Sequence, residues 1–423
     1  MFAVGRLCNI YRASELKGVR FSFFWRYRNP GESQQGLKMK AIELFVGAGG
    51  MALGGSAAGL RPLAVFDWDK WACETIRENA RSEIEPFRNW PVEQIDIRDY
   101  SFKAFNNKVE IVTGGPPCQP FSLGGRHRAY DDTRDLFPQA VRAVRETRPK
   151  AFVFENVKGL TRQTFVNYFE YIKLQLRFPD VERAQNDDWL DHLRQLEEVE
   201  SSNTYKGLRY QVLAEVLNAA DFGVPQRRER VFFVGIRSDL NAKWHFPKAT
   251  HSRHALAWDK WETDAYWERA RVSLKERELI KFKRASALQD PGEKKPWRTV
   301  REALLDLPDP QLEPKASKRF LNHDFQHGAR SYKGHTGSPL DEPAKTLKAG
   351  VHGVPGGENM LRRPDGTVRY FSIRECARLQ RFPDEMELHG SWSECMRQLG
   401  NAVPVDLAQK VIESVVAAIK RTS

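Results

Sequence analysis

Short apolar runs alternate with amphipathic stretches through the first half of the chain. Residues 41–46, 62–66, 92–97, 109–112, 151–154, 210–217 and 230–236 each read as a strand, and 51–58, 70–80 and 134–148 read as helices between them. In 134–148, Leu136, Ala140 and Val144 fall on one face, and Pro149 ends the pattern. Strands alternating with helices predict an α/β fold built on a doubly wound, mainly parallel sheet. From 237 to about 370 this periodicity lapses into a stretch rich in Pro, Gly, His, Trp, Lys and Arg, which predicts a second, smaller domain. Helical patterns return at 372–382 and 404–419, so the first domain is expected to comprise 39–236 plus 371–423.

Two stretches stand outside this pattern. In 180–202 Trp189, Leu193, Leu196 and Val199 recur at helical spacing on an acidic background, which predicts a helical elaboration packed on the surface, with a negative face unsuited to a polyanion. Residues 1–38 match nothing downstream, and Met39 stands directly before the first strand. The expectation is that the fold begins at Met39 and that the upstream segment reflects a mis-called start; the other reading is a basic, aromatic arm that touches a polyanionic partner.

Composition narrows the partners. Across 423 residues the net charge is +12, with bases spread along the chain, and this favours a polyanion. The five cysteines form no C-x-x-C pair and no metal-ligand spacing with histidine, so neither a disulfide framework nor a metal site is expected. No apolar run is long enough to cross a bilayer and no secretory signal is recognisable, which predicts a cytoplasmic protein without a membrane partner.

The candidate chemistry lies at strand ends. After the first strand comes Gly47-Ala48-Gly49-Gly50-Met51-Ala52, a G-x-G-x-x-A turn, and the second strand ends at Asp67-Trp68-Asp69, about twenty residues beyond Gly47. Strand, glycine turn, helix, strand and terminal acid point to an adenosine-containing cofactor. Asp67 would accept from ribose hydroxyls and Trp68 would offer a flat face to adenine, ordinary packing being the alternative for Trp68. Asp96, between Ile95 and Ile97, is suited to an adenine amino group, or else acts as a cap or turn residue. Beyond 109–112, Gly114-Gly115-Pro116-Pro117-Cys118-Gln119-Pro120-Phe121-Ser122 is a stiffened loop that presents one thiol just past a strand's carboxyl end.

From Met39 onward the chain resembles bacterial-type DNA (cytosine-5-)-methyltransferases. The resemblance rests on ELFVGAGG (43–50), GGPPCQPFS (114–122), ENV (155–157), QRRER (226–230), RECARLQRFPD (374–384) and QLGNAVP (398–404), in that order. It implies a Rossmann-like catalytic domain, S-adenosyl-L-methionine as methyl donor, and a target-recognition domain over 237–370. It further implies Cys118 as the nucleophile that adds to C6 of a flipped-out cytosine, Glu155 as the acid that protonates N3, Arg228 in contact with the target cytosine, and Arg230 beside Cys118 and Glu155. The cofactor would lie against Phe45, Gly47, Gly49, Gly50, Asp67, Trp68, Asp96, Ile97, Pro116, Asn401 and Ala402. Gln119, Ser122, Thr346 and Leu347 would meet DNA, with the loop 350–359 able to approach bases, and Gln226 would order its loop. The implied partner is double-stranded DNA acted on by a monomer, with a restriction endonuclease sharing the site without direct contact. Two departures are visible: Glu43 where many relatives have Asp, and Ala402 where a serine is common.

Other functions fit less of the chain. A nicotinamide-dependent oxidoreductase explains the glycine turn and Asp67 but leaves Cys118, Glu155 and QRRER without a joint purpose. An RNA cytosine-5 methyltransferase shares the chemistry but has less use for the long region before RECARLQ. An inactive DNA-binding homologue has no need of an intact Cys118, Glu155 and Arg228.

Overall fold

A computed structural model describes residues 38–117, 135–202, 204–280, 288–349 and 357–422. Cys118, Gln119, Ser122 and most of the loop 350–359 therefore lie outside the described residues. Seven strands form one sheet: β1 (Met39–Leu44), β2 (Leu60–Asp67), β3 (Val92–Gln94), β4 (Ile111–Gly114), β5 (Ala151–Val157), β6 (Tyr210–Asn218) and β7 (Glu229–Arg237). Their order is β3-β2-β1-β4-β5-β7-β6. The first five are parallel, and β7 runs antiparallel to both β5 and β6.

The expected doubly wound α/β sheet is thus what the chain forms. β4 and all but the last residue of β5 are buried, which is why they read as unbroken apolar runs rather than alternating ones. Helices α1 (Gly50–Ala57), α2 (Lys70–Arg81), α3 (Phe137–Thr147), α4 (Val166–Arg177) and α5 (Trp189–Ser202) connect or cover the strands. Asp69 starts α2 by accepting from the Ala72 amide, and Arg148 in the left-handed region ends α3 just before Pro149. Within the acidic stretch only α5 is helical; Leu196 is buried in the core, with Trp189, Leu193 and Val199 packed against it.

After β3 the chain crosses back over β2 and β1 to form β4, so the winding reverses between β1 and β4. That reversal opens a crevice at the carboxyl ends of β1 and β4, where open sheets of this kind bind ligands. The helix Val405–Lys420 returns to the same body and lies on α1 so closely that a Cβ on Gly54 would sit 2.6 Å from the Gln409 nitrogen. A further helix, Trp392–Asn401, was not anticipated.

The region 237–370 has a small cluster of its own, in which Leu256, Tyr266, Trp267, Ala270 and Trp297 pack with Ala220. Much of the rest shares a core with the first domain. Val300, Ala303, Leu304, Ala344, Leu347 and Leu361 pack with Leu53, Ile373 and Leu379. Buried ion pairs reinforce the junction, among them Arg369 to Glu375 through two 2.7 Å bonds. Among the described residues, no helix is long and apolar enough to cross a membrane.

Candidate active site

A cavity of about 670 Å³ occupies the crevice. Its floor is the turn after β1, where Phe45 (φ 56°) and Gly47 (φ 54°) adopt left-handed conformations. Gly50 is required by close approach, since a Cβ there would lie 2.1 Å from the Val403 carbonyl oxygen. Asp67, at the end of β2, accepts from the Gly47 amide (2.8 Å) and from the Asp69 amide (2.9 Å). Each carboxylate oxygen keeps further lone-pair capacity toward the cavity. Burial raises the pKa of Asp67, against the two amide bonds that lower it. Trp68 is 65 % exposed although it lines the cavity, so ordinary packing does not account for it. Asp96 caps the short 3-10 helix Ile97–Asp99, as its turn reading expects, and also lines the cavity.

Ile97, Pro116, Asn401 and Ala402 complete the cofactor residues expected on this cavity and found there. Gly49 does not line it. A Cβ on Gly49 would meet the Trp90 ring at 3.0 Å, so this glycine serves packing beneath the turn. Arg397 lies on the cavity although the sequence reading passed over it. It donates to Asp69 (2.7 Å), fastening the unanticipated helix to the turn after β2, and its only signal was its place just before the QLGN block.

The second group of residues surrounds Glu155 near the end of β5. Its carboxylate is buried and forms an ion pair with Arg230 Nε at 2.8 Å. Burial raises its pKa, while Arg230 and Arg228 pull it back down. The turn after β4 passes alongside, since a Cβ on Gly115 would lie 3.4 Å from Glu155 Oε2. Asn156 Nδ2 donates to the Pro116 carbonyl (2.9 Å), and the Leu136 amide donates to the Pro117 carbonyl (3.0 Å). Gly115–Pro117, which lead toward Cys118, therefore lie beside Glu155 and Asn156, with Leu136 held against Pro117.

Two expectations are corrected here. Arg228 does not reach a target base: it is fully buried, donating from Nη1 to the Leu347 carbonyl (2.9 Å) and from Nη2 to the Gly400 carbonyl (2.7 Å). Its forked guanidinium bolts two chain segments together, whereas Arg230 faces the cavity. Leu347 cannot present itself to DNA, because it is a core residue whose amide donates to Gln226 Oε1 (3.2 Å). Thr346 is half-buried and spends its hydroxyl on the Arg227 carbonyl (2.7 Å). Gln226, expected to order its own loop, pairs with the strap 344–347. Replacing Arg228 with alanine should therefore cost roughly 3 kcal/mol of stability, from two stranded carbonyls and a cavity. Denaturant unfolding reads this directly, and Arg228→Lys should recover little because a single ammonium cannot span both carbonyls.

Glu43 supplies a second buried carboxyl on the cavity wall. It accepts from Thr113 Oγ1 (2.9 Å), and burial pushes its pKa up to about 8. Between about 4.5 and 8 the unfolded chain has released this proton while the folded chain still holds it, so folding loses stability as pH rises through that window. From pH 6 to pH 8 the loss from this one group is about 2–3 kcal/mol. Glu43→Gln keeps the acceptor for Thr113 and should flatten that slope; equal slopes for the two proteins in urea unfolding would refute the assignment.

The sequence model of the C-5 cytosine-specific DNA methylase family matches residues 39–179 and 190–417. The chain is similar to the type II methyltransferase M.PspPI of Psychrobacter sp., with 31% identity over 388 residues, 89% of this chain and 78% of that protein. It is also similar to the type II methyltransferase M.Sau96I of Staphylococcus aureus, with 32% identity over 388 residues, 89% and 75% of the two chains. The fold matches the crystal structure of the S. pombe Dnmt2 methyltransferase with a TM-score of 0.53 at 18% identity, covering 90% of this chain and 98% of that one.

Proposed function

This chain belongs to the C-5 cytosine-specific DNA methylase family, and on that premise we propose that it transfers a methyl group from S-adenosyl-L-methionine to C5 of a flipped-out cytosine within a short duplex sequence. The observation that carries this reading is the buried Glu155–Arg230 pair on the cavity wall, beside the segment Gly115–Pro117 that leads into Cys118.

C5 of cytosine is a poor nucleophile. The thiolate of Cys118 adds to C6 and pushes electron density into the ring. Charge then develops toward N3, where Glu155 holds a proton; burial favours that protonated form, and Arg230 keeps the carboxyl oriented. Once C5 carries the methyl group, its proton leaves to a base, the Cys118 sulfur departs from C6 and the aromatic ring is restored.

S-adenosyl-L-methionine, when bound, supplies an electrophilic methyl group. The residues fit such a ligand. An exposed Trp68 lines a roomy cavity, Asp67 offers acceptors, and Gly47 leaves open space where a Cβ would intrude. Asn401 and the Ala402 backbone close the far side, without the hydroxyl that a serine would add.

Residues 39–236 with 371–423 make the catalytic part in this reading, and 237–370 the target-recognition part. A net charge of +12 suits duplex phosphates. Flipping the base costs a few kcal/mol, which those contacts offset. The type II names of the relatives point to a partner endonuclease that cuts the same sequence without touching this chain, in the cytoplasm where the DNA lies. The test is covalent trapping on duplex DNA amplified with 5-fluoro-dCTP. An adduct that survives denaturation and requires S-adenosyl-L-methionine is expected; folded protein that forms none refutes the covalent step.

A further inference from the structure

We propose that Arg98 is a built-in competitor for the adenosine end of the cleft: it lies over Trp68 and occupies the Asp96 carboxylate, and must give up both before adenine can use them. The inference rests on the cofactor reading above. All three residues line the cavity. The Arg98 guanidinium carbon is 6.0 Å from the centre of the Trp68 ring, on the flat surface a base would need. Its Nε donates to both oxygens of Asp96, at 3.0 and 2.9 Å. Its Nη2 donates to Oδ2, and its backbone amide donates to Oδ1 at 3.0 Å.

A carboxylate has roughly four lone-pair sites. Three N–H groups of Arg98, the single Nε–H being shared between both oxygens, crowd these sites, so an adenine amino group must compete with the guanidinium for Asp96 until it moves away. The amide contact can stay, since it only caps the 3-10 turn. The Arg98 side chain is 42 % exposed, which gives it open solvent to swing into. Exposed pairs of this kind are weak and salt-screened, so the competition tunes affinity without blocking the site. The nearby Asp99 also attracts Arg98 and offers its charge a second partner on release.

The probe is S-adenosylhomocysteine, titrated calorimetrically into the full chain. Arg98→Ala is expected to bind it about two- to fivefold tighter than the wild type. The gap should narrow as salt is raised, because screening releases the wild-type arginine. In an Asp96→Asn background the gain from Arg98→Ala should shrink, because only the uncovering of the Trp68 face remains. Equal or weaker binding by Arg98→Ala at low salt overturns the inference and leaves the cofactor reading standing. A wild type that binds no S-adenosylhomocysteine overturns the cofactor reading itself, and this inference with it.

Discussion

Cys118→Ala is expected to abolish methyl transfer, a loss on the order of 10⁴-fold or more, while duplex affinity stays within a few-fold of wild type. The two quantities separate because they draw on different residues. The reaction needs one sulfur to add to C6 of the cytosine, and among the described residues that line the cavity no other cysteine offers one. In the proposed function affinity comes from many phosphate contacts spread over the bases of a chain of net charge +12, each replaceable and each weakened by salt. Single-turnover assays and titrations with the same duplex give the two numbers side by side. A parallel fall in binding and rate would mean that Cys118 supports the fold or the DNA surface and not the chemistry.

Glu155→Gln should lower the rate by about 10²- to 10⁴-fold, the usual contribution of a positioned proton donor. Glutamine keeps the shape but cannot deliver the proton. The pH profile provides a sharper test than the rate alone. Burial raises the Glu155 pKa, so the acid form persists above the ordinary carboxylate range and the wild-type rate should decline as pH climbs through the raised value. That decline should be missing from the residual activity of Glu155→Gln. The substitution also leaves the buried Arg230 without its counter-charge, which costs a few kcal/mol of stability, so rates must be scaled to folded protein. A Glu155→Gln protein that is folded and nearly as fast as wild type would remove Glu155 from the mechanism.

Much of this was legible before the structure because the signals are local. Buried runs such as Ala151–Phe154 cannot be anything but central strands when helices flank them, and Pro149 and the Gly47 turn mark where elements stop. Asp67 and Trp68 fell on the cavity because a strand's last residues must emerge at its carboxyl edge. Register across the sheet was less accessible. Arg228 and Arg230 share a face in an ideal strand, yet β7 begins at Glu229, so Arg228 bends into the core while Arg230 meets Glu155. Leu347 follows the ordinary rule for a leucine, and its motif context concealed that. The helix Trp392–Asn401 carries Trp392, Cys395, Met396 and Leu399 at helical spacing behind a Ser391 cap, and was overlooked beside the QLGN motif. The core shared between 300–361 and the C-terminal helices depends on contacts across long sequence separations, which no local pattern encodes.

The central claim is that this chain methylates C5 of cytosine at one duplex sequence. Base-resolution mapping of 5-methylcytosine, in the genome of a methylation-free bacterial host expressing the full chain, tests it most directly. The account predicts modification at a single short recurring sequence, lost when Cys118 is replaced by alanine. An unmodified genome in cells that contain folded wild-type protein would contradict it.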